Sequence, residues 1–174
     1  MSGAPEPPLA HGVPRRMLGF DRDASEQAAG DASAWIVHLD CGHRRHVRHR
    51  PPLSNYPWLL DDAARAARLG QPIECGRCAR LELPDGAAPY RSTAEFDENT
   101  LPAGLRRAHT TKTGVWGRVE VLAGELRFVL PDLGIDRVLA AGENIVIPPE
   151  LEHFVEPRGP MRMRVVFLRV EPTT

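Results

Sequence analysis

The sequence predicts a mainly β protein in which a small α+β metal-binding module precedes a β-sandwich or barrel. Three observations carry that expectation. All three cysteines and four of the seven histidines fall within residues 15–80. Residues 93–174 contain no cysteine and read as short strands divided by Gly and Pro. Between them lies "LELPDGAAPYRS", a turn-rich stretch centred on P-D-G. The expected organisation is an arm at 1–14, a zinc-binding module at 15–80, a linker at 81–92 and a β-domain at 93–174.

The elements follow in order. "MSGAPEPPLAHGVPRR" carries prolines throughout and lacks an apolar core, so it reads as a disordered arm and not as a secretory signal. "MLGFDRD" and "SAWIVHLD" are strand-like, separated by the polar "ASEQAAGDA". "HRRHVRH" extends a further strand after a tight turn at Gly42. "LDDAARAARLG" is a helix capped by Asp61 or Asp62 and ended by Gly70, after which a loop delivers "ECGRC". In the second zone, "GVWGRVEVLAGELRFVL" gives two strands about a turn near Gly124 and "DRVLAAGENIVIPP" gives two more. "EHFVEP" and "MRMRVVFLRV" complete the set, and many short strands at close spacing indicate a sandwich or barrel.

Bulk composition narrows the function classes. A net charge of −1 over 174 residues gives no general reason to invoke nucleic acid or an anionic membrane. No apolar run reaches the length of a membrane-spanning helix. A reducing cytoplasm is the default location, and three cysteines gathered in one motif argue for metal over disulfides.

The metal motif has two halves. Cys75-Gly-Arg-Cys78 presents two thiolates to one tetrahedral ion, and "LDCGHRRHVRHRPP" lies about thirty residues upstream. Cys41 supplies a third thiolate. For the fourth ligand, strand alternation puts Cys41 and His43 on one face and His46 on the other, so His43 is expected, with His46 the rival if the chain turns sharply at Gly42. His49, before Pro51-Pro52 and among arginines, is expected to face solvent, and His38, inside an apolar strand, to pack. Three thiolates and an imidazole close the coordination sphere, which makes the zinc structural. A module of this size needs such a staple. Arg44, Arg45, Arg48 and Arg50, near Tyr56 and Trp58, read either as a solvated strand edge or as a patch for a phosphate-bearing partner, nucleic acid included.

Residues 15–80 resemble a family of small bacterial proteins built on "L-x-C-G-H-x-x-H-V-R-H-x-P-P", a downstream "P-W" and a closing "C-x-x-C", present here as "LDCGHRRHVRHRPP", "YPW" and "CGRC". That resemblance implies no particular activity. Residues 94–170 resemble the cupin-like domain of TehB-type tellurite-resistance proteins through "LPAGLRRAHTTKTGVWGRVEVLAGELRF" and "AGENIVIPPELEHFVEP". This second resemblance implies a small double-stranded β-helix barrel, a pocket, and pairing into a homodimer.

In cupins a first motif supplies two histidines and a carboxylate, and a second supplies one more histidine. Gly142, Pro148 and His153 fit the second motif, with Glu150 replacing its second glycine. The first motif is degraded: His109 holds its first histidine position, Thr111 stands at the second, and Gly117 falls near the glutamate. Glu120 shares a strand face with Trp116 and Arg118, away from the apolar face of Val115, Gly117, Val119 and Val121, so it is expected to point out of the barrel. The expected ligand-binding residues are His109, Thr111, Lys112 and His153, with Thr110 at the same mouth. His109, His153 and Glu150 form a weak second metal site for a divalent ion. Catalytic residues are unknown. No Gly-rich loop between strand and helix is present to hold a nucleotide cofactor, so the methyl-transfer chemistry of the fused relatives is not carried over.

Three function readings stand open. The first is a cytoplasmic protein that binds or senses a small oxyanion, metabolite or metal, of the tellurite and oxidative-stress resistance type. The second is a metal-dependent cupin enzyme, a dioxygenase or isomerase, using His109 and His153. The third makes the zinc module an adaptor for nucleic acid or protein.

Overall fold

The structure is a computed structural model, and it describes residues 12–27 and 33–171. Most of the arm expected at 1–14 lies outside these residues. Its last part, however, is strand: β1 (Val13–Arg22) opens the module, with Val13, Arg15 and Met17 facing inward. A four-residue helix, α1 (Ala24–Gln27), follows, then β2 (Ala34–Leu39) and β3 (Arg44–Arg48). The predicted helix is shorter than its sequence signature. Asp61 caps it by accepting from Ala64 N at 2.7 Å, but α2 covers only Asp62–Ala66 before tight turns lead to Gly70. The loop expected before the C-x-x-C pair is instead a strand, β4 (Pro72–Cys75), followed by the short α3 (Gly76–Ala79). The module's sheet has the order β3-β2-β1-β4.

Its two edge strands curl towards each other. Arg45 in β3 donates to the Glu74 carbonyl in β4, although those strands are at opposite ends of the sheet order. The curl brings the turn after β2 against the end of β4.

The second half is a barrel of two sheets. Its strands are β5 (Ala87–Ser92), β6 (Phe96–Asp97), β7 (Trp116–Ala123), β8 (Glu125–Leu130), β9 (Ile135–Ala140), β10 (Asn144–Ile147), β11 (Phe154–Pro157) and β12 (Arg162–Val170). One sheet runs β10-β7-β12-β5, with β6 also on β12; the other runs β11-β8-β9. The β7–β8 turn carries the chain from one sheet to the other at Gly124, whose φ is 70° and where a Cβ would lie 2.1 Å from the Pro160 carbonyl oxygen. Only glycine fits there. Residues 87–92, expected as linker, are therefore an edge strand of the barrel. Their exposure and Pro89 hid them: an edge strand facing solvent shows no alternation.

The two halves share one contiguous buried core, which runs from Val13 and Cys41 through Trp116 to Leu168. Trp116 lies on the outer face of β7, as the alternation predicts, yet it is fully buried because the module covers it. Among the described residues, no helix is long and apolar enough to cross a membrane.

Candidate functional site

The module's site is built by two turns. After β2, Gly42 adopts φ 88°, and a Cβ there would meet Val170 at 2.9 Å. Glycine lets the chain reverse so that Gly42 N donates to Leu39 O and Leu39 N to His43 O. Cys41 and His43 therefore project together. At the end of β4, Cys75 sits at the N-cap of α3 and Cys78 in its single turn, bringing both thiols to the same point. Cys41, His43, Cys75 and Cys78 are all buried, with ligand atoms within 4.8 Å of one another.

The spacing tests whether a metal fits. A tetrahedral zinc with bonds of about 2.3 Å to sulfur and 2.0 Å to nitrogen has S···N edges of about 3.5 Å and S···S edges of about 3.8 Å. His43 Nδ1 lies 3.5, 3.3 and 3.6 Å from the sulfurs of Cys41, Cys75 and Cys78, and the Cys41 and Cys75 sulfurs are 4.0 Å apart. The donor set and its dimensions fit a four-coordinate, thiolate-rich ion. Without a cation the cluster is electrostatically awkward. The Cys75 thiolate is favoured by hydrogen bonds from Cys41 first, then Cys78, while Cys41 is pushed up by its bond to Cys75 and by burial.

The other candidate histidines are engaged elsewhere. His46 points away and its Nδ1 pairs with Asp23 Oδ2 at 2.8 Å. His49, expected to face solvent, is half-buried and accepts from the Tyr56 N–H at 3.0 Å. His38, expected to pack, instead pairs its Nε2 with Asp21 Oδ2 at 2.6 Å. Accordingly, His43→Ala is expected to lower metal affinity on the order of 100-fold or more, a ligand counting for more than an outer-shell partner. His46→Ala and His49→Ala should keep full stoichiometry in a competition titration against a chromophoric chelator. Metal loss in the His46 variant with retention in the His43 variant would reverse the assignment.

The arginine cluster divides. Arg44, Arg45, His46, Arg77 and Arg80 line a groove of about 350 Å³ beside Cys75, together with Glu74. Arg77 pairs with Glu82 and Asp85, and Arg80 with Glu82, so much of that charge is already matched.

The barrel holds a second site, a cavity of about 330 Å³ lined by His109, Thr110, Thr111, Lys112 and His153 together with residues of β5, β7 and β12. His109 and His153 face each other across a two-residue bridge: each backbone N–H donates to the other's carbonyl, at 3.1 and 3.0 Å. Their ring centroids are 4.2 Å apart. His109 Nδ1 lies 2.9 Å from Arg107 O, and His153 Nδ1 lies 2.9 Å from Leu151 O. A carbonyl only accepts, so both Nδ1 atoms carry a proton, and in the neutral ring each Nε2 keeps its lone pair.

Burial pushes His153 down to about 4 from the usual 6.5, and the neighbouring His109 adds to the shift. Between those two pH values the unfolded chain takes up a proton that the folded one refuses. Stability is therefore unaffected above pH 6.5 and falls as pH drops towards 4, by up to about 3 kcal/mol. His153→Gln should remove that component. Chemical denaturation of both proteins at pH 7 and pH 4.5 checks it, and an equal acid loss in the two would contradict it.

Two expectations at this site need correction. Glu150 does not face the histidines. Its carboxylate accepts from Thr113 Oγ1 at 2.8 Å and pairs with Arg16 at 3.5 Å and Arg15 at 3.8 Å. Arg15 is almost fully buried and also donates to Pro149 O at 2.7 Å, so the loop carrying His153 is held by the module's first strand. The Thr111 hydroxyl donates to Val115 O at 2.7 Å and has no proton left for a ligand. Glu120 lies outside as expected, bonded to Arg164 and Arg118. The cavity also contains Tyr90 and Arg91, which no sequence pattern marks because β5 reads as a connection, and Thr93 just after it.

A small cupin-type barrel, capped on its outer face by a module whose Cys₃His cluster could hold a metal ion, is what this fold and these sites define. Comparison with known proteins places it more closely. Residues 91–165 match the TehB-like domain, and residues 19–82 match DUF3565, a protein family of unknown function. The chain is 31% identical over 87 residues to the protein YeaR of Escherichia coli K12, covering 44% of this chain and 71% of YeaR. The chain belongs to the TehB-like family. Among solved structures, a protein of E. coli K12 matches with a TM-score of 0.49 and 25% identity, over 54% of this chain and 92% of its own. TehB from Haemophilus influenzae matches with a TM-score of 0.46 and 23% identity, over 49% of this chain and only 32% of its own.

Proposed function

We propose that this chain is a cytoplasmic binding or sensing protein for a small anion, with the ligand in the barrel cavity and a structural zinc in the module. The observation that supports it is the charge of the cavity. Lys112 and Arg91 both line it, no carboxylate does, and neither cation has an ion-pair partner among the described residues. Two unmatched cations over a partly desolvated space attract an anion through charge-assisted hydrogen bonds. The reading sets the protein beside the tellurite and oxidative-stress resistance proteins that its barrel resembles. Buried, unpaired thiols suit a reducing compartment.

Calorimetric titration of the full, metal-loaded chain with phosphate, selenite, tellurite and small carboxylates tests it. Lys112→Ala and Arg91→Ala are each expected to weaken binding of whichever anion binds by about tenfold, the typical worth of one charge-assisted bond. Unchanged affinity in both variants would sink the reading. A second reading, the metal-dependent cupin enzyme, is favoured by the two free Nε2 lone pairs of His109 and His153. Two imidazoles bind a divalent ion weakly by themselves. Iron, manganese or nickel retained through dialysis and lost in His109→Ala would promote the enzyme over the binding protein.

A further inference from the structure

We infer that the ligand of the barrel cavity is a small organic acid with an apolar body and a hydroxyl or N–H group, and not an inorganic oxyanion. The inference rests on the anion-binding reading above and specifies its ligand.

Size is the first argument. An oxyanion of three or four oxygens displaces about three waters, on the order of 100 Å³. The cavity of about 330 Å³ is roughly three times that, and such a space around a bare oxyanion would fill with water.

The lining is the second argument. The enclosed part is apolar: Val119, Ile147, Val155 and Met163 all line it and are almost fully buried. An inorganic ion gains nothing from such walls, whereas each buried carbon of an organic ligand does. Lys112 and Arg91 are exposed residues and stand at the mouth, with the half-exposed Tyr90. The charge of the ligand belongs at the open end and its carbon body inside.

Hydrogen-bond polarity is the third argument. The side-chain donors expected deeper in the site are already used: Thr111 Oγ1 donates to Val115 O, and Thr93 Oγ1 to Ala94 O. Beside the hydroxyls of Thr110 and Tyr90 at the exposed mouth, the histidine pair offers two Nε2 atoms, which only accept while the rings are neutral. A fully ionised oxyanion would face two acceptors there. A ligand carrying its own O–H or N–H satisfies them, and a carboxylate on the same ligand meets Lys112 and Arg91 at the mouth.

The test titrates the full, metal-loaded chain by calorimetry with benzoate, the three hydroxybenzoate isomers, phosphate and tellurite. The tightest hydroxybenzoate is expected to bind about tenfold better than benzoate, and both better than either inorganic ion. His109→Ala, at the half-exposed rim, should shrink the hydroxyl advantage, lowering hydroxybenzoate affinity by a larger factor than benzoate affinity. Val165→Phe, with fold and metal content checked by circular dichroism and metal analysis, should exclude the aromatic acids by filling the cavity. Phosphate or tellurite binding as tightly as the best organic acid would overturn the inference and leave the anion reading standing. Equal affinity for benzoate and all hydroxybenzoates would overturn the donor requirement. Failure of every anion to bind would overturn the anion reading itself.

Discussion

Excess chelator, or the substitution Cys75→Ser, is expected to unfold residues 13–80 of the full chain. Three sulfurs and one imidazole meet there in a buried cluster with tetrahedral dimensions. Among the described residues the module's other resources are slight: four strands of at most ten residues, three α-helices of at most five and a 3-10 turn at Pro57–Leu60. A unit of this size cannot fund its own folding from apolar burial. Metal binding in such sites contributes about 10–16 kcal/mol of apparent free energy, and that energy is folding energy. The cluster also joins the turn after β2 to the end of β4, so its loss opens the curled sheet at its closing point. Near-UV circular dichroism and limited proteolysis after metal removal would report the change. An intact near-UV signal and protease resistance in excess chelator would show that the metal is dispensable.

Trp116→Ala is expected to lower stability by about 3–5 kcal/mol, the range for deleting a fully buried large side chain. Trp116 has no exposure, its Nε1 donates to the Cys41 carbonyl at 2.8 Å, and its ring meets His43 edge-on at 5.3 Å between centroids. It is a barrel residue packed into the metal turn. At about 2–4 °C per kcal/mol for a chain of this size, melting should fall by about 10 °C, and metal affinity should fall with it. Trp116→Phe keeps most of the volume but strands the carbonyl, at a cost of about 1–3 kcal/mol. If Trp116→Ala melts within about 3 °C of the parent, the packing between barrel and module is not as described.

Local chemistry was legible in the sequence, and tertiary contacts were not. Cys41, His43 and the Cys75–Cys78 pair are close in sequence within each half, and the structure brings those four together, although Cys41 and His43 meet through the turn at Gly42 and not along one strand face. The strands from β7 to β12 follow from alternation and from Gly124. β5 escaped because its strand character comes from β12, and its sequence "AAPYRS" is almost wholly exposed. With it went Arg91. The course of Glu150 was equally hidden, since Arg15, which draws it away, lies 135 positions earlier in the chain. Alternation put Trp116 on the outer face of β7, but no pattern along one strand tells what covers that face.

The pairing of β5 with β12 also fixes the order in which the protein can be completed during synthesis. Ser92 pairs with Val166, so the barrel's edge strand waits for residues about seventy positions downstream. At about 5–20 residues per second on the ribosome, that delay is several seconds or more. The metal cluster, finished at Cys78, needs none of those residues for its ligands. A metal that binds this cluster could therefore be taken up before the barrel cavity is complete. Trp116, made after both halves of the cluster, then has the Cys41 carbonyl as the partner for its Nε1.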